Sequence, residues 1–337
     1  MSGSSSLSSS LSLSKSSNLY DVACVGIIVA DVIAQVVDEL PPKGKLAYQE
    51  NISLYSGGGA MSCAVDLSVL GAKSAVIAKI GGDSFGDFLK SELIRKNVDI
   101  TGLRVSEYPT AATVALIDST AERTFLHCPG ADNDFAYEDI DWGVIEKSGI
   151  VFATGMTLMQ KFNGQPCADM LKKSREMGKV TALDTAWDST GQWMETLAPC
   201  MPYIDFFMPS VEEAEKLAGL PVGADHKKIA DVFFDMGVKC VIIKLGKNGC
   251  YMQESKASGG KYFPTYSNIK PVCTTGAGDS FCAGFFFGLA RGYSLDECCR
   301  IGNAVGSHCV MKTGATAGIV PFAQIEQFMR ENSAFLN

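Results

Sequence analysis

From Asp21 onward, short apolar runs alternate with longer stretches in which apolar residues recur every three or four positions, and this alternation restricts the fold more than any other feature of the chain. Residues 22–29, 74–80, 150–153, 180–183, 206–208 and 240–245 read as strands; residues 60–70, 84–96, 167–177, 211–217 and 229–236 read as helices. Strands that follow one another only after a helix form a mostly parallel sheet, covered by helices on both faces. Ligands in such α/β folds gather beyond the carboxyl ends of the strands.

Two segments depart from the alternation. Residues 45–55 and 113–127 switch between polar and apolar side chains as half-exposed strands do, and in TVALIDSTAERTFLH the turn residues 118–121 separate two hairpin arms. They are expected to pair as a small sheet that projects from the body and covers a site as a lid, its strands contributed by about residues 33–57 and 110–128.

With 337 residues and 47% hydrophobic composition, the chain can bury one large core, so residues 19–332 are expected to form a single domain. Its 37 acidic and 29 basic side chains leave a net charge of -8 and no basic patch, which argues against nucleic acid as a partner. The longest apolar runs fall well short of the roughly 20 residues needed to span a bilayer, so no membrane partner is expected. The twelve cysteines are scattered through apolar stretches and include no CxxC pair, a pattern of reduced core thiols without a zinc site. Residues 1–18 contain eleven serines, and this segment is expected to be a disordered tail. It lacks the apolar core of a secretory signal, and the expected location is the cytoplasm.

The chemistry is concentrated in CTTGAGDSFCAGFFFGLARG, residues 273–292. Gly276, Ala277 and Gly278 make a small-residue turn ahead of an apolar helix, leaving backbone N–H groups pointing outward where the helix dipole is positive. Only small residues let a phosphate approach backbone donors this closely. Asp279, in the first helical turn, suits a cap. Beside an anion hole it also suits a base that takes a proton from an alcohol while the amides stabilise a transferring phosphoryl group.

These residues resemble the ribokinase (PfkB) family of carbohydrate kinases, whose signature DTxGAGDxFxAG is matched by CTTGAGDSFCAG. A second match is GGGAMSCAVDLSVLG, residues 57–71, followed by GGDSFGDFL. The resemblance runs from about Val22 to Val320. It implies a ribokinase-like three-layer sandwich with a small β-sheet lid, and transfer of the γ-phosphoryl group of ATP to a sugar hydroxyl with Mg²⁺ and with Asp279 as general base. It implies that Asp31, at the end of the first strand, binds sugar hydroxyls, with Gly57, Gly58, Gly59 and Ser62 beside it. Glu213, in PSVEEAEKL, is matched to a glutamate that places magnesium, usually through water. Lys244, Gly246 and Gly249 in IIKLGKNGC, with Thr275 and Asn303, are matched to the nucleotide site.

The chain departs from the family pattern at several points. Ser62 stands where asparagine is common, Ser210 replaces the asparagine of an NxxE motif, Val29 replaces a sugar-contacting asparagine, and Cys273 replaces an aspartate of a monovalent-cation site. A thiol is a poor ligand for a hard cation. Within the lid segment, Arg123 and His127 lie four residues apart and project to one face of a regular strand, where they suit a polar or anionic substituent or a plain lid surface. Asp184 and Trp187, in LDTAWDSTGQW, follow a strand at the expected active edge. Two other functions stay open: a nucleoside kinase of the same fold, and a catalytically silent sugar-binding protein. A homodimer through the lid is expected by analogy.

Overall fold

The computed structural model describes residues 18–120 and 122–336. All of the serine-rich tail except Asn18, and Ala121 of the expected lid turn, lie outside the described residues.

Nine strands form the main sheet: β1 (Tyr20–Gly26), β4 (Ser74–Gly81), β5 (Asp99–Ser106), β8 (Ser148–Thr154), β9 (Val180–Leu183), β10 (Phe206–Phe207), β11 (Cys240–Lys244), β12 (Cys250–Gln253) and β13 (Lys261–Phe263). Their order is β13-β12-β11-β10-β9-β8-β1-β4-β5. The strands from β11 to β5 run parallel, and β12 and β13 close one edge antiparallel. After β1 the chain works outward through β4 to one edge, and from β8 it works outward to the other. The order therefore reverses beside β1, the place where a doubly wound sheet opens a crevice for ligands.

Among the described residues, eight helices reach eight residues or more: α1 (Gly59–Leu70), α2 (Ser84–Arg95), α3 (Gln165–Glu176), α4 (Val211–Ala218), α5 (His226–Asp235), α6 (Ala277–Arg291), α7 (Leu295–Cys309) and α8 (Phe322–Glu331). Side-chain alternation along the strands assigns them to two layers. Val22, Cys24, Cys240 and Ile242 face a core shared with α1, α2, α6, α7 and α8. Ala23, Val25, Val241 and Ile243 face a second core shared with α3, α4 and α5. Strands buried on both faces are why the sequence shows unbroken apolar runs here.

A second sheet of four strands, order β3-β2-β6-β7, comprises β2 (Val29–Gln35), β3 (Asn51–Gly57), β6 (Ala112–Ile117) and β7 (Arg123–Cys128). The hairpin β6–β7 stands where the polar alternation places it. Residues 45–50, in contrast, belong to no strand, and the apolar run 22–29 is two strands rather than one. Gly26 causes that break. Its φ is +146°, and a Cβ there would lie 2.0 Å from the Thr154 carbonyl oxygen, so β1 stops and the chain crosses through Ile27 and Ile28 into the lid. Asp31 accordingly sits on lid strand β2, not at the end of the first central strand.

The twelve cysteines are free thiols, buried except for Cys128 and Cys273. Among the described residues, no helix is long and apolar enough to cross a membrane. Helix α6 is held to the sheet by aromatic contacts: fully buried Phe286 packs on Phe152 of β8 at 4.9 Å between ring centroids, and Phe285 on Phe206 of β10 at 5.3 Å. Phe286→Ala should cost about 3–5 kcal/mol of stability through the cavity it leaves. Urea unfolding measures this, and an unchanged midpoint would refute the anchoring role.

Candidate active site

Gly276 caps α6 with φ +83°, a left-handed turn in which a Cβ would lie 2.5 Å from the Ala315 carbonyl oxygen. That turn aims the first amides of α6, from Ala277 and Gly278, at the crevice. Asp279 is the third residue of the helix. On its other side stands the first residue of α1. A Cβ on Gly59 would lie 2.2 Å from Thr154 Oγ1 and 3.2 Å from Asp279 Oδ1. The starts of two helices and the carboxyl end of β8 thus meet at the point where the strand order reverses.

A cavity of about 1120 Å³ opens from this point across the carboxyl ends of the strands. Of the residues singled out by the sequence, it brings together Asp279, Gly276, Ala277, Gly278, Lys244, Gly246, Gly249, Asn303, Glu213 and Asp184. Thr274 lines it rather than Thr275. Ser62 is fully buried in α1, its hydroxyl has no hydrogen-bond partner, and it is not part of the cavity wall. The amide nitrogen of Asn303 donates to the carbonyls of Phe263 (2.8 Å) and Pro264 (3.1 Å), so it pins the end of β13 and leaves only its oxygen for a ligand.

Buried charges occupy the floor of the cavity. Lys244 Nζ lies 2.5 Å from Asp184 Oδ2, and a Cβ on Gly278 would lie 3.2 Å from that same nitrogen. The lysine is therefore beside the α6 amides. Burial pushes Asp184 up to about 7 against the pull of Lys244, with Glu213 and Asp279 adding repulsion. Asp279 is pushed up to about 6 by burial, Lys244 opposing and Glu213 assisting. For Lys244, burial works against the charge, but the adjacent Asp184 overrides it and the pKa rises.

Glu213 has a double role that its spacing announces. Ser210 and Glu213 form a reciprocal capping box at the start of α4: Ser210 N donates to Glu213 Oε2 (3.0 Å), and Glu213 N donates to Ser210 Oγ (3.4 Å). Thr185 Oγ1 also donates to Oε2 (2.9 Å), so the carboxylate is held rigidly with Oε1 left for other partners. Among the described residues no three His, Cys, Asp or Glu side chains converge as a metal cage. One or two fixed carboxylates facing a phosphate-sized space fit Mg²⁺, which keeps its water and takes further ligands from phosphates.

Asp31, Gly57, Gly58 and Gly59 lie across Asp279 from that cavity. A Cβ on Gly57 would lie 2.0 Å from Asp31 Oδ2, so the lid carboxylate rests on the glycine backbone. Burial pushes Asp31 up to about 6, partly offset by a hydrogen bond from Thr113. Thr154, whose hydroxyl touches Gly59, and the buried pair Thr265–Ser307 (2.6 Å) on the cavity wall were not singled out by the sequence. For Thr154 the signal was its position, directly after an apolar strand run at the expected active edge.

The family profile described as pfkB family carbohydrate kinase matches residues 20–322. The chain is 28% identical over 258 residues to an uncharacterized sugar kinase of Archaeoglobus fulgidus, covering 75% of this chain and 97% of that one. It is 27% identical over 311 residues to a ribokinase of Haemophilus influenzae, covering 90% and 97%. A solved structure of Arabidopsis thaliana ribokinase, complexed with ribose and ATP, superposes with a TM-score of 0.79 at 22% identity, covering 92% of this chain and 99% of that one.

A carboxyl whose pKa rises on folding lends stability that is complete below its unfolded value near about 4 and is lost as pH climbs through its folded value, about 6 for Asp279. Asp279→Asn escapes that loss. Above about pH 6 the variant should be more stable than the parent by on the order of 1 kcal/mol or more, with the difference vanishing near about pH 4. Parallel pH dependence of the two in urea unfolding would contradict the burial of this charge.

Proposed function

Since the chain belongs to the pfkB family of carbohydrate kinases, we propose that it transfers the γ-phosphoryl group of ATP to a hydroxyl of a sugar, with Asp279 as general base. One observation carries this reading. The Gly57–Gly59 step touches the Asp31 carboxylate at one end and the Asp279 carboxylate at the other. Two residues of chain span at most roughly 7 Å, a separation that a sugar ring can bridge, so one carboxylate orients an acceptor while the other takes its proton.

The rest of the site supports the same direction of transfer. The nucleotide lies in the large cavity along Gly246, Gly249 and Asn303, its phosphates toward Lys244 and the amides of Ala277 and Gly278. Those donors are fixed before substrate arrives, so charge developing on the phosphoryl oxygens meets oriented dipoles rather than reorganising water. Lys244 exchanges Asp184 for a phosphate oxygen, and its charge also favours the ionised form of Asp279. Glu213 and Asp184 would hold Mg²⁺ when it is bound, and the ion would supply charge neutralisation to the phosphates. Asp279, raised to about 6, is ionised at neutral pH yet basic enough to accept a proton from an alcohol as it attacks.

The lid supports a homodimer. Its register sets Leu54, Val32, Val114 and Leu126 in one row across the four strands. Leu126 is 66% exposed and neighbouring Ile52 is 64% exposed, so an apolar sheet face stands uncovered. A second copy of the lid is the self-complementary cover we assign to it.

Asp279→Asn should lower turnover by on the order of 10²-fold or more while leaving ATP affinity within about twofold. Parent activity should fall on the acid side near pH 6 as Asp279 protonates. ADP release and ATP titration measure both, and sugar binding without ADP release in the parent would sink the assignment. For the assembly, Leu126→Glu should convert a dimer into a monomer by light scattering; a monomeric parent would rule the lid interface out.

A further inference from the structure

The inner face of the lid carries a second row in register, one residue along from the apolar one: Tyr55 on β3, Asp31 on β2, Thr113 on β6 and His127 on β7. This face leads to the catalytic end, because Asp31 rests on Gly57 and the following glycines reach Asp279. The row is wired together. Thr113 hydrogen-bonds Asp31, and Thr113 Oγ1 lies 3.1 Å from His127 Nδ1.

Proton count fixes the direction of that chain. An ionised Asp31 only accepts, so the single hydroxyl proton of Thr113 goes to Asp31. Thr113 Oγ1 is then an acceptor toward the ring, and His127 Nδ1 must carry the proton. His127 is exposed to a ligand arriving beneath the lid, partial desolvation of its ring lowers its pKa, and a neutral ring protonated at Nδ1 presents a bare Nε2 lone pair. The row therefore offers acceptors at both ends, the Asp31 carboxylate and His127 Nε2. Two hydrogen bonds in series, each about 2.9 Å, and the roughly 2 Å across the imidazole from Nδ1 to Nε2 place those acceptors roughly 7 Å apart. Arg123 pairs with Ile117 at the far end of β7, about 13 Å along the strand from His127.

We propose that His127, oriented by Thr113, is a specificity-determining residue of the lid, and that the row selects an uncharged polyol bearing two hydroxyl donors roughly 7 Å apart, against acceptors that carry a phosphate or carboxylate there. Hydroxyls satisfy both acceptors at once. An anionic substituent at the same place meets a carboxylate and a lone pair, and gains no donor. The proposal rests on the phosphotransfer reading and narrows its substrate class.

The test is ADP release by the full chain with ribose, fructose, fructose 6-phosphate and 2-dehydro-3-deoxygluconate, for the parent and for His127→Ala, His127→Gln, Thr113→Val and the double variant His127→Ala/Thr113→Val. The neutral sugars should exceed the anionic acceptors by about 10-fold or more in kcat/KM. His127→Ala should raise the sugar KM about 10-fold, with kcat within about twofold and the ATP KM unmoved. His127→Gln, whose amide oxygen can accept, should recover part of the loss. Thr113→Val should match His127→Ala, and the double variant should cost no more than either alone, because both break one chain. Preference for an anionic acceptor, an unmoved sugar KM in His127→Ala, or multiplied effects in the double variant would overturn the assignment while leaving the kinase reading in place. ADP release with none of the acceptors would take down the kinase reading and this inference with it.

Discussion

No side chain fits between the first residue of α1, the end of β8 and the start of α6. At Gly59 even a single carbon would collide with Thr154 and crowd Asp279. Everything functional follows from this approach of backbones. It brings two helix starts, each with outward-facing amides, to one point of the sheet, and it places that point where the strand order reverses. The apolar length of α6 then acts as an anchor: its aromatic side chains lock into β8 and β10, so the carboxylate in its first turn cannot drift from the glycine step.

The electrostatics are costly by design. Asp279, Asp184 and Asp31 are all pushed upward by burial, and Lys244 with its partner Asp184 is the principal compensation on the nucleotide side. A buried ion pair of this kind contributes little net stability, since desolvation offsets most of the attraction. What it supplies is charge held in place at the cavity floor, where fixed charges act on a developing charge without having to reorganise. The fold stability that makes this tolerable comes from elsewhere, from two continuous cores on either face of a nine-stranded sheet.

Much of this was legible in the sequence because it rests on local rules. Apolar runs buried on both faces gave β4, β8, β9 and β11, and the small-residue turn before an apolar helix gave the start of α6 with Asp279 in its first turn. Other features rest on tertiary contacts. The break at Gly26 exists because the Thr154 carbonyl occupies the space of its Cβ, and nothing local in an apolar run reveals a neighbour 128 positions away. The full burial of Ser62 within α1 is a tertiary feature of the same kind. Asn248-Gly249 between apolar runs carries a signal for the hairpin β11–β12, and the three-residue Ser210–Glu213 spacing carries one for the capping box, although neither element is among those expected from the sequence above. Asp184 became central only when β9 and β11 were set beside β10, which brings its carboxylate to Lys244 across 60 residues of chain.

The lid shows how one register serves two purposes. Strand side chains alternate, so fixing Asp31 opposite Tyr55 and Thr113 necessarily fixes Val32 opposite Leu54 and Val114 on the other side. A slip of one residue would turn the carboxylate outward and bring the apolar row to the inner face, exchanging the two surfaces. The outward face must be covered and the inward face must stay polar, and each requirement penalises the register that would violate the other. The register is further held where the lid joins the body, because Val29, Ala30 and Ala111 are buried in the two cores and leave the base of the sheet no freedom to slide.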